Sequence, residues 1–365
     1  MKVAIIAAMV SALREPQRGG SQVFVADLAR GLADRGHAVH LYAAAGSEVP
    51  GVEVIDTGVD HEALQATLYR ASGDKASRTP RAARRAFSGV YDAVREERYD
   101  VVHNHAFDAP AVELANRACA PVVHTLHLPP DAAVAAALRV ATRRDPAPTI
   151  AGVSAWQADT WRRVVPIDAI LPPHIPTARI PWSATAGEGA VFAGRLSPEK
   201  GAAEAIEIAL AAGLRIDVYG ERYDPEYARE RIDPRRADRA VAVHAGVARA
   251  VLWDALASAA VVLCPARWDE PFGMVAAEAQ ACGTPVVAFR RGALDEVILD
   301  GVTGVLVAPE EIEAAAEAIA ATGELSRAAC RRHAERNLDL ELSLDAHERL
   351  YERVAPTAAE VAIGG

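Results

Sequence analysis

Short apolar runs alternate with helix-like segments along most of the chain. Runs typical of buried strands occupy residues 3–9, 38–43, 52–55, 99–108, 121–130, 150–154, 190–193, 214–219, 240–244 and 259–264. After the first run, Phe24, Leu28 and Leu32 recur at a four-residue spacing, which predicts a helix that ends near Gly36. Because alternating strands and helices build parallel sheets covered by helices, both halves of the chain are predicted to be α/β domains.

Further helices and a linker complete the predicted organisation. The helices cover the basic segment 78–98, a segment containing Trp156 and Trp161, residues 202–212 and 274–281, and most of the tail from Glu310, including 324–336 and 343–354. Residues 171–182 contain four prolines, which interrupt regular structure and indicate an interdomain linker. We therefore expect an N-terminal domain at 1–172 and a C-terminal domain at 173–342, with the boundary between 170 and 187.

Composition and charge narrow the possible functions. A length of 365 residues favours two domains, and 51% hydrophobic with 24% charged residues is typical of a soluble globular protein. The net charge of −10 argues against nonspecific nucleic-acid binding, which needs an excess of cations. The four cysteines, Cys119, Cys264, Cys282 and Cys330, show no C-x-x-C spacing, which favours reduced thiols in a cytoplasmic protein.

Membrane association is not favoured by the sequence. No run approaches the roughly 20 apolar residues of a membrane span. The apolar start of the chain lacks a convincing cleavage site and is explained by a first buried strand, so we expect a cytoplasmic protein. The cluster of Arg81, Arg84 and Arg85 predicts a solvated helix face, with contact to an anionic membrane surface as the alternative.

Residues 267–281 carry the most informative chemistry. Glu270 lies in a loop that follows the apolar run 259–264, and Glu278 lies on the helix predicted after it. Carboxylates accept hydrogen bonds from neighbouring sugar hydroxyls, and Gly273 allows close approach of the backbone to a ligand. Free N–H groups at the helix start suit phosphate or sugar oxygens. The loop is therefore predicted to bind a sugar nucleotide, whereas a solvated helix face would explain either Glu alone.

A second loop, at residues 194–201, carries two cations. Arg195 and Lys200 are bracketed by Gly194 and Gly201 after a predicted strand, so both cations could converge on one diphosphate. Surface charge is the alternative explanation for either residue alone. Gly220, after the next predicted strand, is expected to be a left-handed turn position.

Glycines and histidines of the first half add weaker candidates. Gly19-Gly20 follows the first strand and precedes a helix, which suits phosphate binding but equally suits tight packing. His103 and His105 alternate on one strand face, as metal ligands of a hydrolase can, although no ordered set of later Asp and His ligands follows. His127, at the carboxyl end of a strand, lies at a candidate ligand crevice.

In combination, these motifs resemble those of the retaining glycosyltransferases of family four. The motifs are Gly19-Gly20, residues 100–105, residues 121–127, residues 194–201, Glu270-Pro-Phe-Gly with Glu278, and residues 301–304. The resemblance implies the GT-B fold, in which two facing Rossmann-like domains with parallel sheets have the active site in the cleft between them. It also implies that the last helix, at about 343–365, packs back on the first domain, and that the second domain binds the donor.

The resemblance implies roles for individual residues. Arg195 and Lys200 would hold the donor phosphates, Glu278 the ribose hydroxyls, and Glu270 the transferred sugar. The implied catalytic residues are His127, Glu270, Arg195 and Lys200. The implied donor-binding residues are Gly19, Gly20, Gly194, Arg195, Lys200, Glu270, Phe272, Gly273, Met274, Val275 and Glu278.

The implied reaction moves a hexose from a nucleotide diphosphate sugar, taken to be UDP-hexose, to an acceptor hydroxyl. It retains the anomeric configuration and uses no bound metal or other cofactor. The lean first domain favours a small soluble acceptor. Two alternatives remain: an epimerase or pseudo-glycosyltransferase coupling enzyme on the same fold, and a catalytically silent nucleotide-sugar binding module. Pro173-His174 and His124 depart from the usual family pattern at the cleft border, which affects the acceptor more than the reaction class.

Overall fold

The computed structural model describes residues 1–61, 64 and 80–355, and the chain forms two compact units. Unit 1 comprises Met1–Arg14, Ser21–Pro173 and the chain from Ser343 onward. Unit 2 comprises Glu15–Gly20 and His174–Leu342. The change of unit after Pro173 falls in the proline-rich segment, and Glu15–Gly20 groups with unit 2 although it lies early in the chain.

Unit 1 is built on a seven-stranded parallel sheet in the order β3-β2-β1-β4-β5-β6-β7. Its strands are β1 Lys2–Ile6, β2 Ala38–Ala43, β3 Glu53–Asp56, β4 Val101–Asn104, β5 Val122–Leu126, β6 Thr149–Gly152 and β7 Ala169–Ile170. Its helices are α1 Gly20–Asp34, α2 Pro80–Glu96, α3 Ala109–Glu113, α4 Ala132–Ala141 and α5 Ala155–Arg162. All four residues of β4 are buried, as expected for a central strand covered by helices on both faces.

Unit 2 repeats this construction with a six-stranded parallel sheet in the order β10-β9-β8-β11-β12-β13. Its strands are β8 Ala190–Ala193, β9 Ile216–Tyr219, β10 Val241–His244, β11 Val261–Cys264, β12 Val286–Phe289 and β13 Gly304–Val307. Its helices are α6 Ala202–Ala211, α7 Pro225–Tyr227, α8 Arg249–Ala257, α9 Met274–Ala281, α10 Leu294–Val297, α11 Ile312–Thr322 and α12 Arg327–Asn337, and the last helix of the chain is α13 Leu340–Val354.

Each sheet has a point where the order of its strands reverses. In unit 1 this point lies between β1 and β4, and in unit 2 it lies between β8 and β11. Open parallel sheets bind ligands at the carboxyl ends of the strands at such a point, because the following loops diverge there and leave a crevice. The loops after β8 and β11 hold Lys200 and Glu270, and His105 directly follows β4.

The structure confirms the α/β fold class and corrects several local predictions. Gly220 does not adopt a positive φ; instead, a Cβ atom there would lie 2.0 Å from the carbonyl oxygen of Gly194, so close backbone contact requires the glycine. The proline-rich segment contains a short 3-10 turn, Thr177–Arg179. Helix α4 was not predicted, although its N-terminal cap was visible as Asp131, whose side chain accepts from two backbone amides.

All four cysteines are free thiols, and burial raises the pKa of Cys264 and Cys282 to about 12. Among the described helices, none combines the length and the apolar character needed to cross a bilayer.

Candidate active site

Lys200 and Glu270 form the centre of the candidate site in unit 2. The Nζ atom of Lys200 donates to both carboxylate oxygens of Glu270, at 2.9 and 2.8 Å. The side chains are only 22% and 16% exposed, so the pair is partly shielded from water. Lys200 ends a short 3-10 turn after β8, and Glu270 follows β11. Because these strands are neighbours in the sheet, residues 70 positions apart meet.

Trp268 holds the same carboxylate. Its indole N–H donates to Oε2 of Glu270 at 2.7 Å, and the Nζ atom of Lys200 lies 4.7 Å from the centre of the indole ring. Within the described chain, Oε2 therefore accepts two hydrogen bonds and Oε1 accepts one. Since a carboxylate oxygen can accept two, Oε1 keeps capacity for a sugar hydroxyl. Trp268 was not singled out from the sequence, although an aromatic residue two positions before Glu270 was a visible signal.

Arg195 lies on the same loop as Lys200 but has a different carboxylate partner. Its Nη2 donates to Oε1 of Glu199 at 3.1 Å, and its guanidinium lies 4.5 Å from the ring centre of Tyr223. Glu199 is 3% exposed and also accepts from the Ser197 hydroxyl at 2.7 Å. The Nε atom of Arg195 is buried and has no hydrogen-bond partner among the residues that the structure describes. This unsatisfied cationic donor suits an anionic ligand.

Glu278 lies on α9, as predicted, in a buried cluster with two residues of α8. Its Oε1 accepts from Nε of Arg249 at 2.7 Å and from the indole N–H of Trp253 at 3.1 Å. The guanidinium of Arg249 lies 4.8 Å from the Trp253 ring centre. Both bonds end on Oε1, which leaves Oε2 of this carboxylate as the acceptor for a ligand hydroxyl. Neither Arg249 nor Trp253 was singled out from the sequence, because α8 itself was not predicted.

The turn into α9 has the geometry expected of a backbone binding loop. Gly273 has a φ of 106°, a conformation that L side chains rarely adopt, and α9 begins at the next residue, Met274. The first amides of a helix have no partner within it, so the backbone at Met274 and Val275 can donate to a ligand. Phe272 is 6% exposed and packs 5.9 Å, ring centre to ring centre, from His174.

Unit 2 also contains the remaining glycines that were predicted to bind the donor. Gly194 directly follows β8, where its carbonyl contacts the Gly220 backbone. Gly19 lies in the segment Glu15–Gly20 that groups with unit 2, and Gly20 is the first residue of α1. In that segment, Arg18 forms an ion pair with Glu221 at 3.3 Å.

Unit 1 contains a buried cluster of histidines. Nδ1 of His105 and Nε2 of His127 are 2.9 Å apart, and the ring centres of His103 and His105 are 4.0 Å apart. The two nitrogens of His103 are each 2.7 Å from a hydroxyl, those of Tyr351 and Thr125. His103, His105 and His127 are 0%, 1% and 8% exposed. The structure thus places His127 at the edge of the cluster and the other two rings beneath it.

Burial keeps these histidines neutral near pH 7. Burial lowers the pKa of His127 to about 4, and the neighbouring His347 lowers it to a lesser extent. Burial also lowers the pKa values of His103 and His105 well below the usual range. Within the described residues no group of three or more His, Cys, Asp and Glu side chains could hold a metal ion. Both nitrogens of His103 are hydrogen-bonded to hydroxyl groups, so its ring has no free nitrogen for a metal ion.

His124 lies on β5 directly before Thr125, the hydroxyl partner of His103. It is 1% exposed, its Nδ1 lies 3.0 Å from the amide nitrogen of Asn104, and burial lowers its pKa to about 3. The ring of His124 is therefore enclosed by protein.

Comparisons with known proteins agree with this architecture. Residues 18–179 match the family model described as Glycosyltransferase Family 4, and residues 185–336 match that of Glycosyl transferases group 1. The chain is 30% identical to a D-inositol 3-phosphate glycosyltransferase of Geodermatophilus obscurus, over 91% of this chain and 85% of that protein.

Two solved structures show the same fold. The sucrose-phosphate synthase of Thermosynechococcus elongatus superposes with a TM-score of 0.78 at 18% identity and covers 96% of this chain and 98% of that one. HepE of Anabaena, in complex with UDP and glucose, superposes with a TM-score of 0.74 at 19% identity, over 96% and 99% of the two chains. The two Rossmann-like units therefore have the GT-B fold, and the chain belongs to glycosyltransferase family 4 and is a glycosyltransferase.

Proposed function

We propose that this protein transfers a hexose from a UDP-hexose to a hydroxyl of a small acceptor, with retention of the anomeric configuration and without a bound metal. The observation that carries the proposal is the partly buried pair of Lys200 and Glu270 at the strand reversal of unit 2. An adjacent cation and carboxylate match the two parts of a sugar nucleotide, a charged diphosphate and a hydroxylated ring.

The partners of these residues support the same donor. The buried Nε of Arg195 supplies a second cationic donor for the diphosphate, and Oε2 of Glu278 supplies an acceptor for a ribose hydroxyl. The structurally similar HepE was crystallised in complex with UDP and glucose, which makes UDP-glucose the first donor to test here.

Retention follows, in this proposal, from attack on the face that the nucleotide leaves. A phosphate oxygen of the departing diphosphate takes the acceptor proton, while Arg195 and Lys200 stabilise the developing negative charge. A pKa of about 4 makes His127 a weak base at neutral pH, so His127 serves as a hydrogen-bond partner of the reacting sugar.

The acceptor is proposed from similarity. The relative from Geodermatophilus and one from Xylanimonas cellulosilytica, 32% identical, are both named D-inositol 3-phosphate glycosyltransferase. A small polyol phosphate is therefore the first acceptor class to test, in keeping with a small acceptor molecule.

Calorimetry with a panel of nucleoside diphosphates and their sugar conjugates tests the donor. We expect one nucleotide, UDP, to bind in the absence of divalent metal and to be little affected by its addition. Binding of no nucleotide, or binding only with metal, would contradict the cation site of Arg195 and Lys200.

A transfer assay followed by NMR tests the reaction. The anomeric coupling of the product should match that of the donor sugar. Conversion of the donor sugar to its epimer without any acceptor would instead identify the epimerase alternative.

A further inference from the structure

We infer that His105 is a positioning residue for His127, holding its imidazole in the tautomer that carries the proton on Nδ1. This inference rests on the proposed function, which places His127 at the reacting sugar. His105 itself is not placed at the sugar. It directly follows β4, is 1% exposed and contacts the ring of His127.

The geometry links the two rings through one hydrogen bond. Nδ1 of His105 and Nε2 of His127 are 2.9 Å apart, and their ring centres are 5.2 Å apart. Both rings are neutral, so one nitrogen of this pair donates and the other accepts. The direction of this hydrogen bond decides whether Nδ1, the other nitrogen of His127, carries a proton. Within the described part of the chain, that Nδ1 makes no hydrogen bond.

The surroundings of His105 favour one direction. Its Nε2 is buried and has no hydrogen-bond partner among the described residues. His105 also lines a crevice beside Ser21 and Gln22 that is too narrow to admit a water molecule. A buried N–H without an acceptor is a rarer defect than a buried lone pair without a donor. The proton of His105 is therefore placed on Nδ1, which donates to Nε2 of His127.

This direction determines what His127 offers to a ligand. With its Nε2 accepting from His105, neutral His127 carries its proton on Nδ1. His127 then presents an N–H donor, suited to a sugar or phosphate oxygen. Packing restrains the His105–His127 pair, because the ring centres of His103 and His105 are 4.0 Å apart. His103 is in turn hydrogen-bonded to the hydroxyls of Thr125 and Tyr351.

The first experiment reads the tautomer directly in the unmodified protein. Histidine is labelled with 15N, and the His127 resonances are assigned by comparison with His127→Gln. We expect the protonated-nitrogen shift at Nδ1 and the unprotonated shift at Nε2, at pH 7 and without ligand. The reverse pattern would overturn the inference, and this readout depends neither on activity nor on the folding of a His105 variant.

The second experiment separates positioning from simple structural support. His105→Leu removes the donor, whereas His105→Asn keeps an N–H near the position of Nδ1. His105→Leu should lower kcat on the order of 10- to 100-fold, as loss of a partner that orients a functional histidine does elsewhere, with a smaller change in donor KM. His105→Asn should restore most of kcat. His124→Leu is the matched control, because it also removes a buried imidazole but leaves the bond to His127 intact.

The outcomes distinguish this inference from the proposed function. Equal losses of kcat in His105→Leu and His124→Leu, or no recovery in His105→Asn, would overturn the positioning role. If the unmodified protein transfers no sugar from any UDP-hexose, the proposed function fails, while the labelled spectrum still decides the tautomer.

Discussion

Both units place candidate functional residues near the strand reversal of their sheets, but those of unit 2 are charged and those of unit 1 are neutral. In unit 2, Lys200 and Glu270 are a partly exposed ion pair, and Arg195 pairs with the buried Glu199. In unit 1, His105 and His127 are neutral rings linked by one hydrogen bond. Both sets lie at or beside the strand reversal of their own sheet.

The difference follows from burial. A charge can be retained where a counter-charge and water share its stabilisation, as at Lys200, which is 22% exposed. Where water is excluded, as around His105, an imidazole loses its charge and keeps only its directional hydrogen bonds. In the proposed function, the charged groups of unit 2 compensate the charge of the donor, whereas the neutral rings of unit 1 supply only directional hydrogen bonds.

Loss of the Lys200 ammonium group should slow sugar transfer more than the other substitutions considered. Lys200→Ala should lower kcat on the order of 100- to 1,000-fold, because it removes a cationic donor from the departing diphosphate. The matched control is Lys2→Ala, since Lys2 likewise pairs with a glutamate, Glu97 at 2.7 Å, and lies over an aromatic ring, Tyr99 at 5.2 Å. Steady-state kinetics with a UDP-hexose measure both variants. A Lys200→Ala enzyme as active as Lys2→Ala would move the phosphate site elsewhere.

The pH dependence of folding stability tests whether the buried histidines of unit 1 are neutral. The folded-state pKa of His127, about 4, lies below its ordinary value of 6.5, so below pH 6.5 the unfolded chain binds the proton more readily. Stability is therefore fully present above pH 6.5 and falls as the pH drops towards 4, by about 3 kcal/mol for this group. Thermal unfolding at a series of pH values measures the loss. His124→Leu should show a shallower decline, because it removes another buried imidazole; an unchanged slope would argue against neutral burial.

Glu278, the residue proposed to bind the ribose, should contribute moderately to nucleotide affinity. Glu278→Ala should weaken binding of the nucleoside diphosphate on the order of 10- to 100-fold, the usual range for a lost charged hydrogen bond. The control is Glu335→Ala, which removes an exposed carboxylate paired with Arg331 at 2.7 Å. Calorimetry measures the affinities, and circular dichroism checks the fold, because Arg249 loses its buried partner. Equal affinities in the two variants would place the ribose away from Glu278.

Loss of the Trp268 N–H group should have a smaller effect on the charged site of unit 2. Trp268→Phe keeps an aromatic ring near Lys200 but removes the N–H that donates to Glu270. We expect the specificity constant for the donor to fall about fivefold, equivalent to about 1 kcal/mol for one hydrogen bond. Trp182→Phe, at a tryptophan that is 45% exposed, is the control. If both variants behave like the unmodified enzyme, Glu270 does not need this bond.

Local structure around the site was predictable from neighbouring residues. The loop position of Glu270 and the helix position of Glu278 follow from an apolar run, a glycine and an alanine-rich segment, and the structure confirms both. The turn at Gly220 was predicted wrongly, because a glycine can serve either a positive φ or a close contact. Only the approach of the Gly194 carbonyl distinguishes these two causes.

The sequence by itself determined the α/β alternation, the two-part organisation and the set of charged and histidine residues that resemble a glycosyltransferase. These features depend on periodicity and on residue type, which are local properties of the chain. Only the tertiary structure decided that Lys200 meets Glu270, that Trp268 and Arg249 hold the two glutamates, and that His105 contacts His127. The physical reason is that strand order brings distant loops together, and that burial in the resulting fold sets which groups keep a charge and which nitrogens carry a proton.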